Sequence, residues 1–403
     1  MAAMTRTPRV LIAGAGIGGL TAALALLRAG IDCELYEQAP ELREIGAGLQ
    51  LAPNGTRVLF TLGLEQAIRR DGVETRDKVV RLWNDDREWS LYDPSEATPI
   101  ERYGSPMFLM HRGDLHALLV AAVRQAKPDA IHLNAQCVGF EQDSTGVRLV
   151  LADGQQAQGD ALIGADGVHS RIRETLMGPA SPKFTGIMAW RGLAPMEALP
   201  PRLRREVAAQ WLGPTGHVTS YPVRRGTLLN MVGEIERADW QSESWVQHGE
   251  RDECLRDFAG WHADLLDIIK TIGSFYKWGL FLREPLQQWS RGRVSLLGDA
   301  CHATLPFLGQ GANMAIEDGM ILARAFQSSP DDPVAALRRY ESVRVERAVN
   351  VVNRSAAMAP KLHNEALRDP ASGAAFVTAN FNRQAQAERV AWLYDYDPVT
   401  API

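Results

Sequence analysis

The chain carries four cysteines in 403 residues, Cys33, Cys137, Cys254 and Cys301. They lie far apart and form no CxxC pair, which argues against a disulfide framework and a zinc site and fits a reducing cytoplasm. Basic charge is not in excess: 43 Lys and Arg stand against 48 Asp and Glu, a formal net charge of −5. Such a chain lacks the footprint of a nucleic-acid binder, and the cluster Arg202, Arg204 and Arg205 reads as a solvated helix face. Repeats and low-complexity tracts are missing. Long apolar runs are nearly missing too. The one uncharged stretch, residues 10–27, follows Arg6 and Arg9. Its length allows a signal peptide or an anchor, but Gly14, Gly16, Gly18 and Gly19 interrupt it and a strand-like segment follows at once. Neither export nor membrane insertion is expected.

What is present is a globular composition, 46% hydrophobic and 23% charged, long enough for two or three domains. "RVLIAG" reads as a buried parallel strand, "GGLTAALALLRAG" as a helix and "DCELYEQ" as a second strand, which makes a right-handed βαβ unit. "LREIGAGLQLAPNGTRVLF" reads as a glycine-punctuated loop entering a helix. "VVRLWNDDREWSLYD" reads as a hairpin turning at Asn84, Asp85 and Asp86. Residues 184–281 are rich in Trp, with short strands such as "GIMAWRGLA" and one amphipathic helix in "RDECLRDFAGWHADLLDII". "RVSLLGDA" then returns to nucleotide-binding character. The expected fold is α/β: a Rossmann-type domain (1–183 and 282–358), an inserted antiparallel-sheet domain (184–281, with part of 78–106 in its sheet) and a C-terminal helical segment (359–403).

Three stretches carry chemistry. Gly14-Ala15-Gly16-Ile17-Gly18-Gly19 follows a strand and opens a helix, and Glu37 ends the next strand. Gly14 allows the tight turn, Gly16 lets backbone approach a pyrophosphate, and Gly19 lets helix and strand pack. The helix N-terminus offers N–H groups to phosphate, and Glu37 can accept from ribose hydroxyls. The motif alone does not separate NAD from FAD. "ALIGADGVHSRIR" places Asp166-Gly167 at a strand–turn–helix junction, where an Asp cap is the plain reading. "GDACHATLPFLGQGAN" ends a strand at Gly298-Asp299, where an Asp can hold a sugar-like hydroxyl. A helix then opens whose N–H groups can stabilise negative charge on a ligand. Cys301 and His302 read as passengers in this loop, since consecutive side chains point apart. No metal site is expected.

These three motifs, at these spacings, resemble the single-component FAD-dependent aromatic monooxygenases, whose marks are GxGxxG, a DG motif and a GD motif. The resemblance spans nearly the whole chain, including "EIGAGLQLAPNG", "HRGDLH" and "YESVRVERA". It is nearest the group of salicylate hydroxylase, 3-hydroxybenzoate 6-hydroxylase and 6-hydroxynicotinate monooxygenase. It implies a cytoplasmic enzyme in which NADH or NADPH reduces FAD, O2 adds at flavin C4a, and the hydroperoxide hydroxylates a hydroxylated aromatic acid. A homodimer is the assembly kept open. Rival readings are a flavin reductase or dehydrogenase, and a non-catalytic FAD-bound protein.

The resemblance also implies roles. Glu37 binds the adenosine ribose, Arg112 lies against the flavin side of the cofactor, Val138 lies near the adenine, and Asp299 binds ribityl or pyrophosphate groups. Gly311, Ala312 and Asn313 face the pyrimidine edge, and Asp166 is linked to both FAD and NAD(P)H. Ile17, Gln38, Ala47, Gly48 and Pro306 join the cofactor set. For chemistry, His217 is the expected base and Tyr221 its neighbour on one strand face, four residues on. His217 as a satisfied sheet residue is the alternative. Gln50 stands where relatives can face substrate, and Pro306 is the salicylate-type residue. Arg191 either attracts a carboxylate or is a surface strand arginine.

Overall fold

A computed structural model describes residues 8–42, 47–75, 78–91, 97–179, 181–237, 239 and 247–403. Glu44, Ile45 and Gly46 of "EIGAGLQLAPNG", and the Tyr92-Asp93 end of the expected hairpin, lie outside them. Strand Arg9–Ala13 is almost wholly buried and pairs in parallel with Asp32–Tyr36 on one side and Ala161–Gly164 on the other. Helix Ile17–Arg28 makes the crossover. The turn between strand and helix needs Gly14, whose φ is +100°. It also needs Gly19, where a Cβ would stand 2.1 Å from the Gly14 carbonyl oxygen. Val294–Leu296 joins in parallel beyond Ala161–Gly164 and Ile131–His132 beyond Asp32–Tyr36; Ser290–Arg291 adds an antiparallel edge.

A second sheet has eight strands. Their order is Gln247–Gly249, Phe275–Leu282, Lys183–Pro195, Leu228–Glu236, Gly216–Val223, Ala208–Gly213, Lys78–Leu82 and Glu88–Ser90. All neighbours are antiparallel except Ala208–Gly213 with Lys78–Leu82. One face packs Trp190, Trp211 and Met231 under Phe258 and Leu265. Residues directly opposite across a sheet share a face, so the register defines the other face. One row across it runs Leu82, Leu212, His217, Glu234, Ala189, Trp278, and the next runs Val80, Gln210, Thr219, Val232, Arg191, Tyr276. This face packs on Leu305 and Phe307 of the first domain.

Three expectations change. Strand Gly48–Leu51 lies inside the segment read as loop, where it pairs with Phe108–His111; its glycines masked a four-residue strand. Lys183–Pro195 is a 13-residue strand rather than a short one. The amphipathic helix is two helices, Arg251–Asp257 and Ala263–Thr271, broken at Gly260 with φ +82°. Helix Pro333–Ala356 is single and long, capped by Asp332. Beyond it the chain is helical, and Leu362, Leu367, Val377 and Phe381 pack on Val80, Leu82 and Leu212 of the second sheet.

Candidate active site

The first strand ends border a cleft of about 710 Å³ lined by Gly14, Gly16, Glu37, Gln38, Cys137, Asp166 and Arg283. A Cβ on Gly16 would meet nothing within 4 Å, so the turn faces open space. Glu37 is fixed by two backbone donors, Ala15 N–H at 2.8 Å and Ala39 N–H at 2.9 Å. Asp166 spends its carboxylate on a helix cap. It accepts from Ser170 Oγ at 2.5 Å, Arg171 N–H at 2.8 Å and Ile172 N–H at 3.1 Å, and burial pushes its pKa up. Asp166 therefore acts on the cleft by shaping its wall. Ile17 is buried by its side chain, so only its backbone can reach the cleft. Val138 turns outward, 45% exposed, and the wall there is made by Ala135, Gln136 and Cys137; strand alternation explains the difference.

Asp299 is exposed just after strand Val294–Leu296. The loop that follows carries Pro306 exposed at the start of a single 3₁₀ turn, then Gly309 and helix Gly311–Ser328. The first intrahelical bond runs from Met314 N–H to the Gln310 carbonyl, so the N–H groups of Gly311, Ala312 and Asn313 point out of the helix end. The Asn313 side chain is occupied. It donates to the Gln50 and Gly309 carbonyls, each at 2.9 Å, and accepts from Ala52 N–H at 3.0 Å. Arg112 donates its backbone N–H to the Ala47 carbonyl at 2.8 Å, so these two residues meet beside the same strand. Gly48 N–H donates to Asn230 Oδ1 at 2.7 Å and ties that strand to the second sheet.

Beneath this loop lies a buried charge network that the sequence reading missed. Asp318 accepts from Gly298 N–H at 3.0 Å and from His302 Nε2 at 2.6 Å, and Arg344 Nε reaches its other oxygen at 2.7 Å. Glu317 pairs with Arg344 at 2.5 Å and Arg347 at 2.8 Å, and takes Asn54 Nδ2 at 2.5 Å. Burial opposes both carboxylate charges, yet the Arg347 and Arg344 cations hold Glu317 below its usual pKa, and His302 and Arg344 do so for Asp318. His302 is thus the anchor of the Gly298 turn. Cys301 is buried with its thiol pushed well up, first by burial and then by Asp318. The stretch "YESVRVERA" held the signal in Arg344 and Arg347, but a helix arginine reads as exposed by default.

The face of the second sheet that packs on Phe307 carries His217 and Tyr221. His217 is buried; its ring lies 5.4 Å from that of Phe307, Nδ1 is 2.8 Å from His363 Nε2, and Nε2 is 3.4 Å from Glu234 Oε2. Burial, then the nearby His363 and Lys78 charges, take its pKa well below 6.5. Burial pushes the Glu234 pKa well above 4.5, and its Oε2 accepts no hydrogen bond among the described residues. Tyr221 shares the face and packs against Gly48, where a Cβ would stand 2.5 Å from its ring. Arg191 is neither exposed nor at the surface: it is 8% exposed, with its guanidinium 5.0 Å from the Trp278 ring and 5.5 Å from Tyr276.

Beside Tyr221 is a cavity of about 140 Å³ lined by Gln50, Lys78, Arg102, Met107, Leu109, Ala208, Arg383 and Tyr394. Gln50 lines it, whereas His217 does not. Burial, reinforced by Arg389, brings the Lys78 ammonium down to about 8, and it forms no ion pair among the described residues.

The model of the FAD binding domain family matches residues 7–355. The chain belongs to this family. Over 407 aligned residues it is 38% identical to a 3-amino-4-hydroxybenzoate 2-monooxygenase of Streptomyces platensis, covering 99% of this chain and 98% of the relative. It is also 38% identical to 3-hydroxybenzoate 6-hydroxylase 1 of Aquipseudomonas alcaligenes, with 85% and 86% covered. Among solved structures, Klebsiella pneumoniae HpxO complexed with FAD and uric acid matches at TM-score 0.82 and 28% identity, covering 98% and 97%. This FAD-binding-family chain is an NAD(P)H-dependent flavoprotein monooxygenase. The residues present fit FAD: the cleft has open space over Gly16 and a fixed acceptor at Glu37, and outside its lining stand an exposed carboxylate at Asp299 and outward N–H groups at residues 311–313. Among the described residues no group of His, Cys, Asp and Glu could hold a metal ion, and no helix is long and apolar enough to cross a membrane.

Proposed function

We propose that this monooxygenase hydroxylates a single-ring hydroxylated aromatic carboxylic acid, using NADH or NADPH and O2. The observation that carries the substrate class is the cavity beside Tyr221. It has apolar walls from Met107, Leu109 and Ala208, one-ring size, and Lys78 as a cation with no ion pair among the described residues. A carboxylate there meets a buried ammonium, a strong pairing once both are desolvated. His217 and Tyr221 are four residues apart on one strand, about 13 Å along it. Lys78 stands opposite Ala208 at the Tyr221 end of this face, so the carboxylate is directed to Lys78 and the ring extends toward His217. Lys78 and His217 belong to the same face of the second sheet by register.

Bound FAD supplies the redox chemistry with O2 and the nicotinamide co-substrate. The protein's share is to bind and orient the ring, keep water out and take the phenol proton. His217 is neutral at pH 7 and so is ready to accept that proton at Nε2. Deprotonation makes the ring more electron-rich. Tyr221 keeps its hydroxyl proton, since burial raises its pKa, and Gln50 offers an amide at the cavity mouth. Glu37, Asp299 and the N–H groups of residues 311–313 hold the cofactor. A hydroxypyridine carboxylate is the second reading, because it presents the same carboxylate and acidic ring hydroxyl. Four free cysteines agree with a cytoplasmic location.

The test is a panel of salicylate, 3-hydroxybenzoate, 4-hydroxybenzoate, its 3-amino derivative and 6-hydroxynicotinate, read by NADH or NADPH oxidation, oxygen uptake and product identification. One acid is expected to stimulate both rates and return a ring-hydroxylated product. If every member of the panel leaves both rates at the basal level, the proposed substrate class is wrong.

A further inference from the structure

His217 lies in a line of side chains that reaches the surface. Its Nδ1 is 2.8 Å from His363 Nε2, and His363 Nδ1 is 3.2 Å from Glu236 Oε1. Both imidazoles are buried, whereas the Glu236 side chain is 53% exposed. The three residues come from separate parts of the chain. His217 is on strand Gly216–Val223 and Glu236 ends the neighbouring strand Leu228–Glu236. His363 follows helix Ala359–Leu362 and bridges to Gly213.

The line fixes its own tautomers. An ionised Glu236 carboxylate only accepts, so His363 donates from Nδ1 and keeps a lone pair on Nε2. His217 then donates Nδ1–H into that lone pair. Its own lone pair is left on Nε2, which is 3.4 Å from Glu234 Oε2 on the sheet's inner face. We propose that His217, His363 and Glu236 form a proton exit path from the buried ring hydroxyl to solvent. This rests on the proposed phenolic substrate only for the identity of the proton's source.

The step balances as a transfer of one proton. The ring O–H breaks and His217 Nε2 gains the proton. His217 Nδ1–H passes to His363 Nε2, His363 Nδ1–H passes to Glu236, and Glu236 releases it to water. Both imidazoles end as the opposite neutral tautomers and reset by ring reorientation or by proton return. The groups facing His217 from every packed element are His363, Glu234, Lys78 and the neutral Phe307 ring. Lys78 and the desolvated surroundings disfavour a lasting imidazolium. A base that holds no charge works here as a conduit, and the path supplies the outlet. His363 and Glu236 touch no substrate and are positioning residues.

The test uses the FAD-loaded enzyme without NAD(P)H, so that no turnover enters the readout. The ionisation rate of a bound hydroxybenzoate after a pH jump is followed by its phenolate absorbance. With His363→Gln the rate is expected to fall by about tenfold or more with ligand Kd and FAD content unchanged. Glu236→Gln is expected to fall less, and Glu236→Asp to restore most of it. The second readout needs no substrate: proton exchange at the His217 ring, followed by NMR on ¹⁵N-histidine-labelled holoenzyme, is expected to slow in His363→Gln and Glu236→Gln. Wild-type ionisation and exchange rates in both variants would overturn the path. If no panel acid binds or ionises while the exchange still slows, the path stands and the substrate class falls.

Discussion

Beneath helix Gly311–Ser328, Glu317 and Asp318 bury two carboxylates against Arg344, Arg347 and His302. Across the loop, the second sheet brings Lys78 and Glu234 to its inner face; among the described residues Lys78 has no ion pair and Glu234 has only the His217 imidazole, 3.4 Å away. Both clusters are buried, and both come from distant parts of the chain. In the first, pairing keeps every group ionised, and the network ties Gly298, Gln310 and Asn54 into one floor for the cofactor loop. In the second, burial pushes the carboxyl pKa up and the ammonium pKa down. Compensated charge marks scaffold, and uncompensated charge marks the place where a ligand completes the set.

The largest effect expected from that contrast comes from one substitution made on each side. Arg344→Met removes a cation from between two buried carboxylates and should cost about 3–5 kcal/mol, with FAD retention lost alongside. Lys78→Met removes a buried charge that has no ion pair among the described residues, so ligand-free stability should hold within about 1 kcal/mol or rise. The same Lys78→Met should raise KM for the aromatic acid roughly 10- to 100-fold, as loss of a charged hydrogen bond of about 1.5–3 kcal/mol requires. Urea unfolding and steady-state kinetics decide both. Equal destabilisation by the two variants breaks the comparison.

The halves were unequally legible in the sequence. The cofactor cleft rests on backbone demands local in the chain: Gly14 at positive φ, Gly19 under a carbonyl oxygen, Glu37 one strand away. Such demands leave glycines at fixed spacing, and spacing is readable. His217 and Tyr221 were also readable as one face of one strand. Lys78, Glu234 and His363 were not, because three strands and a C-terminal helix turn must meet before they share a space. No local pattern distinguishes a strand lysine on the inner face from one at an edge. Val138 and Asp166 show the converse: strand alternation turns Val138 outward, and the Asp166 carboxylate is consumed by the cap at helix Arg171–Met177.

Acid titration sharpens the comparison at intermediate size. His217 and His363 have folded pKa values below 6.5, so below pH 6.5 the unfolded chain takes protons that the fold refuses. Stability on the sheet side therefore falls from about pH 6.5 downward, at up to about 1.4 kcal/mol per pH unit for each imidazole. His302 has the opposite sign. Its pKa is raised despite burial, through Asp318, so its contribution is full below 6.5 and is lost as pH rises through the folded value. Glu317 and Asp318 hold until lower pH, since their contributions are present above the ordinary carboxylate values and vanish only as pH falls through the depressed ones. Unfolding free energies at pH 7.5, 6.5 and 5.5 should show a slope that flattens in His217→Gln combined with His363→Gln and steepens in His302→Gln. Identical slopes in both would mean that the imidazoles share one environment.

The smallest effect belongs to Cys301, one residue from His302 in the same turn. Burial and Asp318 hold its thiol protonated, and its sulfur is 3.4 Å from the Gly298 carbonyl oxygen. A buried thiol of that kind is neither nucleophile nor ligand, and its contribution is packing. Cys301→Ala should therefore cost roughly 1 kcal/mol and leave kcat, KM and FAD content unchanged. In the native enzyme, iodoacetamide should leave Cys301 unalkylated by peptide mass mapping until urea opens the turn. Rapid native alkylation, or a kcat that falls with Cys301→Ala, would move this turn from the compensated scaffold to the reacting side of the molecule.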